Sequence, residues 1–104
     1  MRRLWTQREV IEMAKLLGFK NFDRRALHYW QKHGIFPEPV AQLKNVLVLY
    51  DDDLVDVGLV DIARRVKQPI SVTYEDVKWA KEKVLESNKA KNVTKFIKEV
   101  RNGK

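Results

Sequence analysis

Cysteine is absent from the 104 residues. That excludes a disulfide framework and any thiolate metal site or nucleophile. Histidine is scarce. His28 and His33 stand five apart and point to different sides of any helix holding both, so shared metal ligation is not expected. No apolar run approaches the ~20 residues that span a bilayer. Met1 to Val10 carries early arginines with no apolar stretch behind them, unlike a secretory signal. There is no glycine-rich phosphate loop, and no Ser–His–Asp spacing suggests a catalytic triad. These absences predict a cytoplasmic protein that is not an enzyme, with no cofactor, no metal and no membrane partner.

What is present is charge, unevenly spread. The net charge is +7. Residues 1–50 contribute +5, residues 51–77 contribute −4 and residues 78–104 contribute +6. Two basic segments thus flank an acidic one. A basic pole is the electrostatic footprint of nucleic-acid or anionic-membrane binding. The basic stretches lack a long apolar opposite face, which argues against the membrane. The length suffices for one small domain with one modest core.

Phe22 to Pro37, FDRRALHYWQKHGIFP, organises the rest. Asp23 is a suitable N-cap, because its carboxylate accepts amide protons of the first turn. Gly34 suits the left-handed turn that ends a helix, and Pro37 bars continuation. On a helical wheel Arg24, Arg25, His28, Gln31 and Lys32 share an arc of roughly 120°. Ala26, Leu27, Tyr29 and Trp30 fill the opposite side. A helix face with three cations and two neutral hydrogen-bonding side chains suits a polyanion with readable edges, as DNA is. An ordinary solvated face has the same appearance.

Upstream, Thr6-Gln7-Arg8-Glu9 forms a capping-box pattern. Val10, Met13, Ala14 and Leu17 follow at helical spacing, with Ile11 and Leu16 widening the stripe, and Gly18 ends it. Trp5 precedes the cap, placed to staple onto Val10. Two short helices joined by a tight turn make a helix–turn–helix outline. Downstream, Val40–Leu43 and Val46–Tyr50 are β-prone, with Lys44-Asn45 as a two-residue turn. The hairpin buries Val46, Val48 and Tyr50, and its tip is a candidate phosphate contact. Asp51-Asp52-Asp53 opens a third helix as cap and dipole complement rather than as a metal site. Leu54, Val55, Val57, Leu59, Val60, Ile62, Ala63 and Val66 make that helix the expected core, and Gln68-Pro69 breaks it. Thr73 to Asp76 caps a fourth helix whose apolar set is Val77, Trp79, Ala80, Val84 and Leu85. It is expected to fade near Ser87-Asn88. A short last helix then carries Val93, Phe96, Ile97 and Val100 on one stripe, to dock on the domain, on a second copy or on another partner; a disordered basic tail is the alternative.

The order of these signatures resembles the DNA-binding domain of the MerR family, a winged helix–turn–helix also found in excisionase-like and phage DNA-packaging proteins. The family's Leu-Arg-Tyr-Tyr core followed by Gly-Leu-Leu-x-Pro is matched by Leu27-His28-Tyr29-Trp30 and Gly34-Ile35-Phe36-Pro37. Its wing-closing tyrosine and acid-capped helix are matched by Tyr50 and Asp51 to Leu54, and its next turn by Ser71-Val72. The likeness covers about residues 4–80. It implies that Arg24 and Arg25 reach bases and phosphates and that Tyr29 contacts the backbone. His28 stands where the family has arginine. Val48 stands at the wing-arginine position, and Val46-Leu47 where a Gly-Tyr pair is usual. The first helix is longer than the family spacing. MerR regulators add a dimerisation helix and an effector domain, for which this chain has no room at full length, so no small-molecule effector is expected.

Together these readings predict a mainly α protein with a small β-hairpin: a winged helix–turn–helix plus C-terminal helices. Residues 1–86 form the DNA-binding domain and residues 87–104 a basic C-terminal helix or tail. The expected function is sequence-specific binding of double-stranded DNA by a nucleoid-associated transcription regulator. Arg24, Arg25, His28, Tyr29, Gln31 and Lys32 make the major-groove face, with Lys44 and Asn45 at the wing tip. Val93, Phe96, Ile97 and Val100 are the expected contact in a homodimer or higher homo-oligomer. Two alternatives stay open: a phage or mobile-element DNA-recognition subunit, and a protein-interaction module without DNA binding.

Overall fold

Four polar side chains start the four helices. In the computed structural model, the backbone of residues 3–43, 47–66 and 70–102 is described, with side chains throughout except at 43, 47 and 89–102. The elements are β1 (Leu4–Thr6), α1 (Gln7–Leu16), α2 (Arg24–Lys32), β2 (Ala41–Leu43), β3 (Leu47–Asp51), α3 (Asp52–Arg65) and α4 (Tyr74–Asn102). Thr6 and Glu9 form the expected capping box, with hydrogen bonds of 2.9 and 3.1 Å. The Asp23 carboxylate accepts from the Ala26 amide at 3.0 Å, and that of Asp51 accepts from the Leu54 amide at 3.2 Å. Thr73 and Asp76 cap α4 reciprocally.

The ends of α1 and α2 follow one rule. The amides of Gly18 and Phe19 reach back to the carbonyls of Lys15 and Ala14, and those of Gly34 and Ile35 to Gln31 and Trp30. Both glycines carry positive φ, the left-handed step this ending needs. Phe19 and Phe22 are buried in the connection between the two helices, 5.5 Å apart.

The sheet differs from the expected hairpin by one strand. β3 lies between β1 and β2, antiparallel to both. Trp5 pairs with Tyr50 and Gln42 with Val48. Trp5 does more than precede a cap: its indole Nε1 donates to Asp52 Oδ1 at 2.6 Å, and its ring is buried. A three-residue strand holding one tryptophan has too little alternation to read as a strand. Leu43 pairs with Leu47. Lys44, Asn45 and Val46 lie outside the described residues, as does the expected break at Gln68-Pro69; α3 itself ends at Arg65.

The core is built by Leu27 of α2, Val10, Met13 and Ala14 of α1, Val55, Leu59, Ile62 and Ala63 of α3, and Val77, Ala80 and Val84 of α4. Each large aliphatic buried there contributes about 2 kcal/mol. Phe36 follows α2 and is laid against α3 at Gly58. Its ring meets Tyr50 edge-on at 5.5 Å. Four apolar residues expected in the core are exposed instead: Leu16, Leu54, Val57 and Trp79. Each lies on a helix whose buried arc is narrower than its apolar arc. Trp79 faces away from the side holding Val77, Ala80, Lys81 and Val84.

The largest correction concerns α4, which does not fade at Ser87-Asn88. It runs unbroken for 29 residues to Asn102. Serine and asparagine cost only a few tenths of a kcal/mol in a helix interior. Asn88 is moreover tied to the first helix, its side-chain amide donating to Glu9 Oε2 at 3.1 Å. The expected contact residues Val93, Phe96, Ile97 and Val100 fall on this helix, but their side chains lie outside those described.

Candidate functional site

Helix α2 presents one side to the core and the other to solvent. Leu27 is buried, and Ala26 and Trp30 are half-buried against the core. Arg24, Arg25, His28 and Lys32 are exposed. Among the described residues, none of these three cations makes an ion pair or hydrogen bond. Four acidic residues of α3 and α4 are engaged within that half of the molecule. Asp52 and Asp56 stand 2.6 and 2.5 Å from the ammonium of Lys81, Asp61 stands 3.8 Å from Arg65, and Asp76 is a cap. The three cations of α2 thus have no partner among the described residues, while several carboxylates of α3 and α4 are paired within their own half.

Two of the expected contact residues are placed differently from the wheel reading. The wheel puts Tyr29 on the apolar side, yet it is 55% exposed. Its ring lies against that of His33 at 4.3 Å, tilted by 50°, and meets Trp30 edge-on at 5.1 Å. It sits at the border of the buried arc, with the neighbouring rings covering only one side. Gln31 turns the other way. It is half-buried, and its Oε1 accepts the Tyr50 hydroxyl at 2.8 Å. Its amide group is thereby fixed against the sheet instead of projecting with Arg25 and Lys32. Burial raises the Tyr50 pKa above its ordinary value, with the Gln7 amide acting in the opposite direction.

Beside α2 the chain forms a recess of about 150 Å³. Arg24, His28 and Gln31 wall it from α2, Gln7 from the start of α1, and Gln42 from β2. Pro39, Val48 and the Tyr50 ring supply the remaining wall. Among the described residues, no carboxylate borders it. Gln7 and Gln42 carried no mark in the sequence. One is a residue inside a capping box and the other a polar residue in a three-residue strand. The pairing of Gln42 with Val48, and of Trp5 just before Gln7 with Tyr50, brings them to one place on β3.

A second cavity, of about 310 Å³, lies between α1 and α4 and is bordered by Thr6, Arg8, Glu9, Glu12 and Asn88. Its mixed charges and the Glu9–Asn88 bond make it a helix–helix seam. Among the described residues, no group of three or more potential metal ligands gathers, and no helix is long and apolar enough to cross a membrane. No protein-family profile, curated protein or solved structure matches the chain.

Proposed function

We infer that this protein binds double-stranded DNA in a sequence-dependent way, as a transcription regulator built on a MerR-like winged helix–turn–helix. The observation that carries the reading is the outer face of α2. Arg24, Arg25, His28 and Lys32 are exposed there, without intramolecular partners among the described residues. An α-helix fits the major groove, and arginine pairs two acceptors on guanine. The helix–turn–helix pair is followed by a hairpin, the order a winged domain requires. Lys44 and Asn45 are assigned to the hairpin tip as phosphate contacts. A second copy, joined through Val93, Phe96, Ile97 and Val100 of α4, doubles the DNA covered. An excisionase-like or packaging subunit is the same reading in a different machine. A protein-interaction module is favoured by one observation, the exposure of Trp79 and Val57.

The test is a salt-titrated binding assay with random and selected duplexes. Affinity is expected to fall steeply with salt. Arg25→Ala should cost about 1–3 kcal/mol and relax the preferred sequence at one position. Binding that is absent, or indifferent to Arg24→Ala and Arg25→Ala together, rejects DNA recognition by α2 and leaves the interaction module.

A further inference from the structure

The geometry points to the recess beside α2 as the seat of one backbone phosphate of the bound duplex, with Gln42 and Gln7 as phosphate-binding residues. This rests on the reading of α2 as the helix that enters the groove. Three observations carry it.

The first is chemical. The polar side chains around the recess are Gln7, Arg24, His28, Gln31, Gln42 and the Tyr50 hydroxyl, and none is an acid. The Tyr50 proton is directed to Gln31 Oε1. That bond orients the Gln31 carboxamide with its oxygen toward Tyr50 and leaves its amino group free to donate. Arg24 adds a permanent positive charge. A site with donors, one fixed cation and no carboxylate selects an anion.

The second is positional. At 100° per residue, Arg24, His28 and Gln31 lie roughly 80° around α2 from Arg25 and Lys32. If Arg25 and Lys32 meet the groove floor, the recess meets the groove wall, where the phosphates run. The major groove is only about 12 Å wide, so a helix lying in it brings its flanks to the backbone. The recess thus aligns with a phosphodiester and not with a base edge.

The third is the pre-set arrangement. Gln31 is held by Tyr50, and Tyr50 is buried against Phe36 and paired with Trp5. The Tyr50–Gln31 side of the recess is anchored in the core, so that side needs little ordering on binding.

The experiment uses the full chain and a selected duplex, with Gln42→Lys, Gln42→Glu and Arg25→Ala. Gln42 is exposed, so both of its variants should keep the wild-type melting midpoint. Gln42→Lys is expected to tighten binding about five-fold and to steepen the salt dependence by roughly one further ion. Gln42→Glu should weaken binding by about five-fold or more. Neither should alter the preferred sequence. Replacing single phosphates by neutral methylphosphonates should reveal one position that weakens wild-type binding yet leaves Gln42→Glu unaffected. Variants at Gln42 that bind as wild type does, or that change the preferred base with an unchanged salt slope, overturn the phosphate assignment while DNA binding stands. A wild-type protein that ignores duplex DNA, or an Arg25→Ala variant that binds normally, overturns the underlying reading and the assignment with it.

Discussion

Gly58 shows how a single missing atom positions the candidate site. A Cβ there would come within 2.5 to 2.9 Å of the Phe36 ring and the Pro37 Cδ. Phe36 and Pro37 follow α2 directly, so the absence of that atom sets how closely the segment following α2 rests on α3. Alanine is the better helix former by about 1 kcal/mol. Gly58→Ala should nonetheless destabilise, by about 1–3 kcal/mol, because the displaced ring belongs to a close-packed core. Urea unfolding of the two proteins measures it. Lys81 is the second decisive residue. It is 8% exposed, it bonds the carbonyl and carboxylate of Asp52, and it stands 2.5 Å from Asp56. Burial alone pushes the Asp52 carboxyl up. The hydrogen bonds from Lys81 and Trp5, with the charges of Lys81 and Arg3, outweigh this and hold it below its ordinary value. A carboxyl depressed in the folded state adds stability above its unfolded pKa and loses it as pH falls through the folded pKa. Stability should therefore drop below about pH 4. Asp52→Asn should flatten that part of a urea-midpoint profile against pH. Lys81→Met leaves two carboxylates facing each other. Its cost should stay under the ~3–5 kcal/mol of a fully buried pair, since both keep some contact with water.

The helix ends show what is legible at the scale of the element. Thr6, Asp23, Asp51 and Thr73 cap the helices that begin after them, as their side chains require. A cap is a contact between residues three apart, and such contacts follow from local sequence. The continuity of α4 was not legible in the same way. Ser87 and Asn88 weaken a helix slightly, and whether it survives them depends on packing. The bond from Asn88 to Glu9 joins residues 79 apart in sequence. Ser87→Pro is the discriminating change. In the interior of one continuous helix it should cost about 3 kcal/mol, and at a junction between two helices far less. Far-UV circular dichroism and urea unfolding read both quantities.

For the whole molecule, the relevant fact is where charge is satisfied and where it is not. Acidic residues 52, 56, 61 and 76 are engaged in caps and ion pairs within the α3–α4 half. The cations of α2 have no such partners among the described residues, so the field of that side extends into solvent. The helix α4 is about 44 Å long at 1.5 Å per residue, and the longest dimension of the molecule is 54 Å. A helix of that length offers a second copy a contact beyond the domain. Sedimentation should give a dimer at micromolar concentration, and Phe96→Asp with Ile97→Asp should give a monomer with weaker DNA binding. A wild-type monomer, free and on DNA, would remove the assembly from the proposal.

By itself the sequence determined where the four helices begin, their caps, the basic side of α2 and the glycine-ended turns. Each depends on residues within about four positions of one another, where spacing alone decides which side chains meet. Tertiary structure alone decided the rest. It added β1 as the third strand and exposed Leu54, Val57 and Trp79. It turned Gln31 inward onto Tyr50 and gathered Gln7 and Gln42 into one recess. These features arise from contacts between residues far apart in the chain. Burial there is shared among elements, and no local pattern records which partner wins.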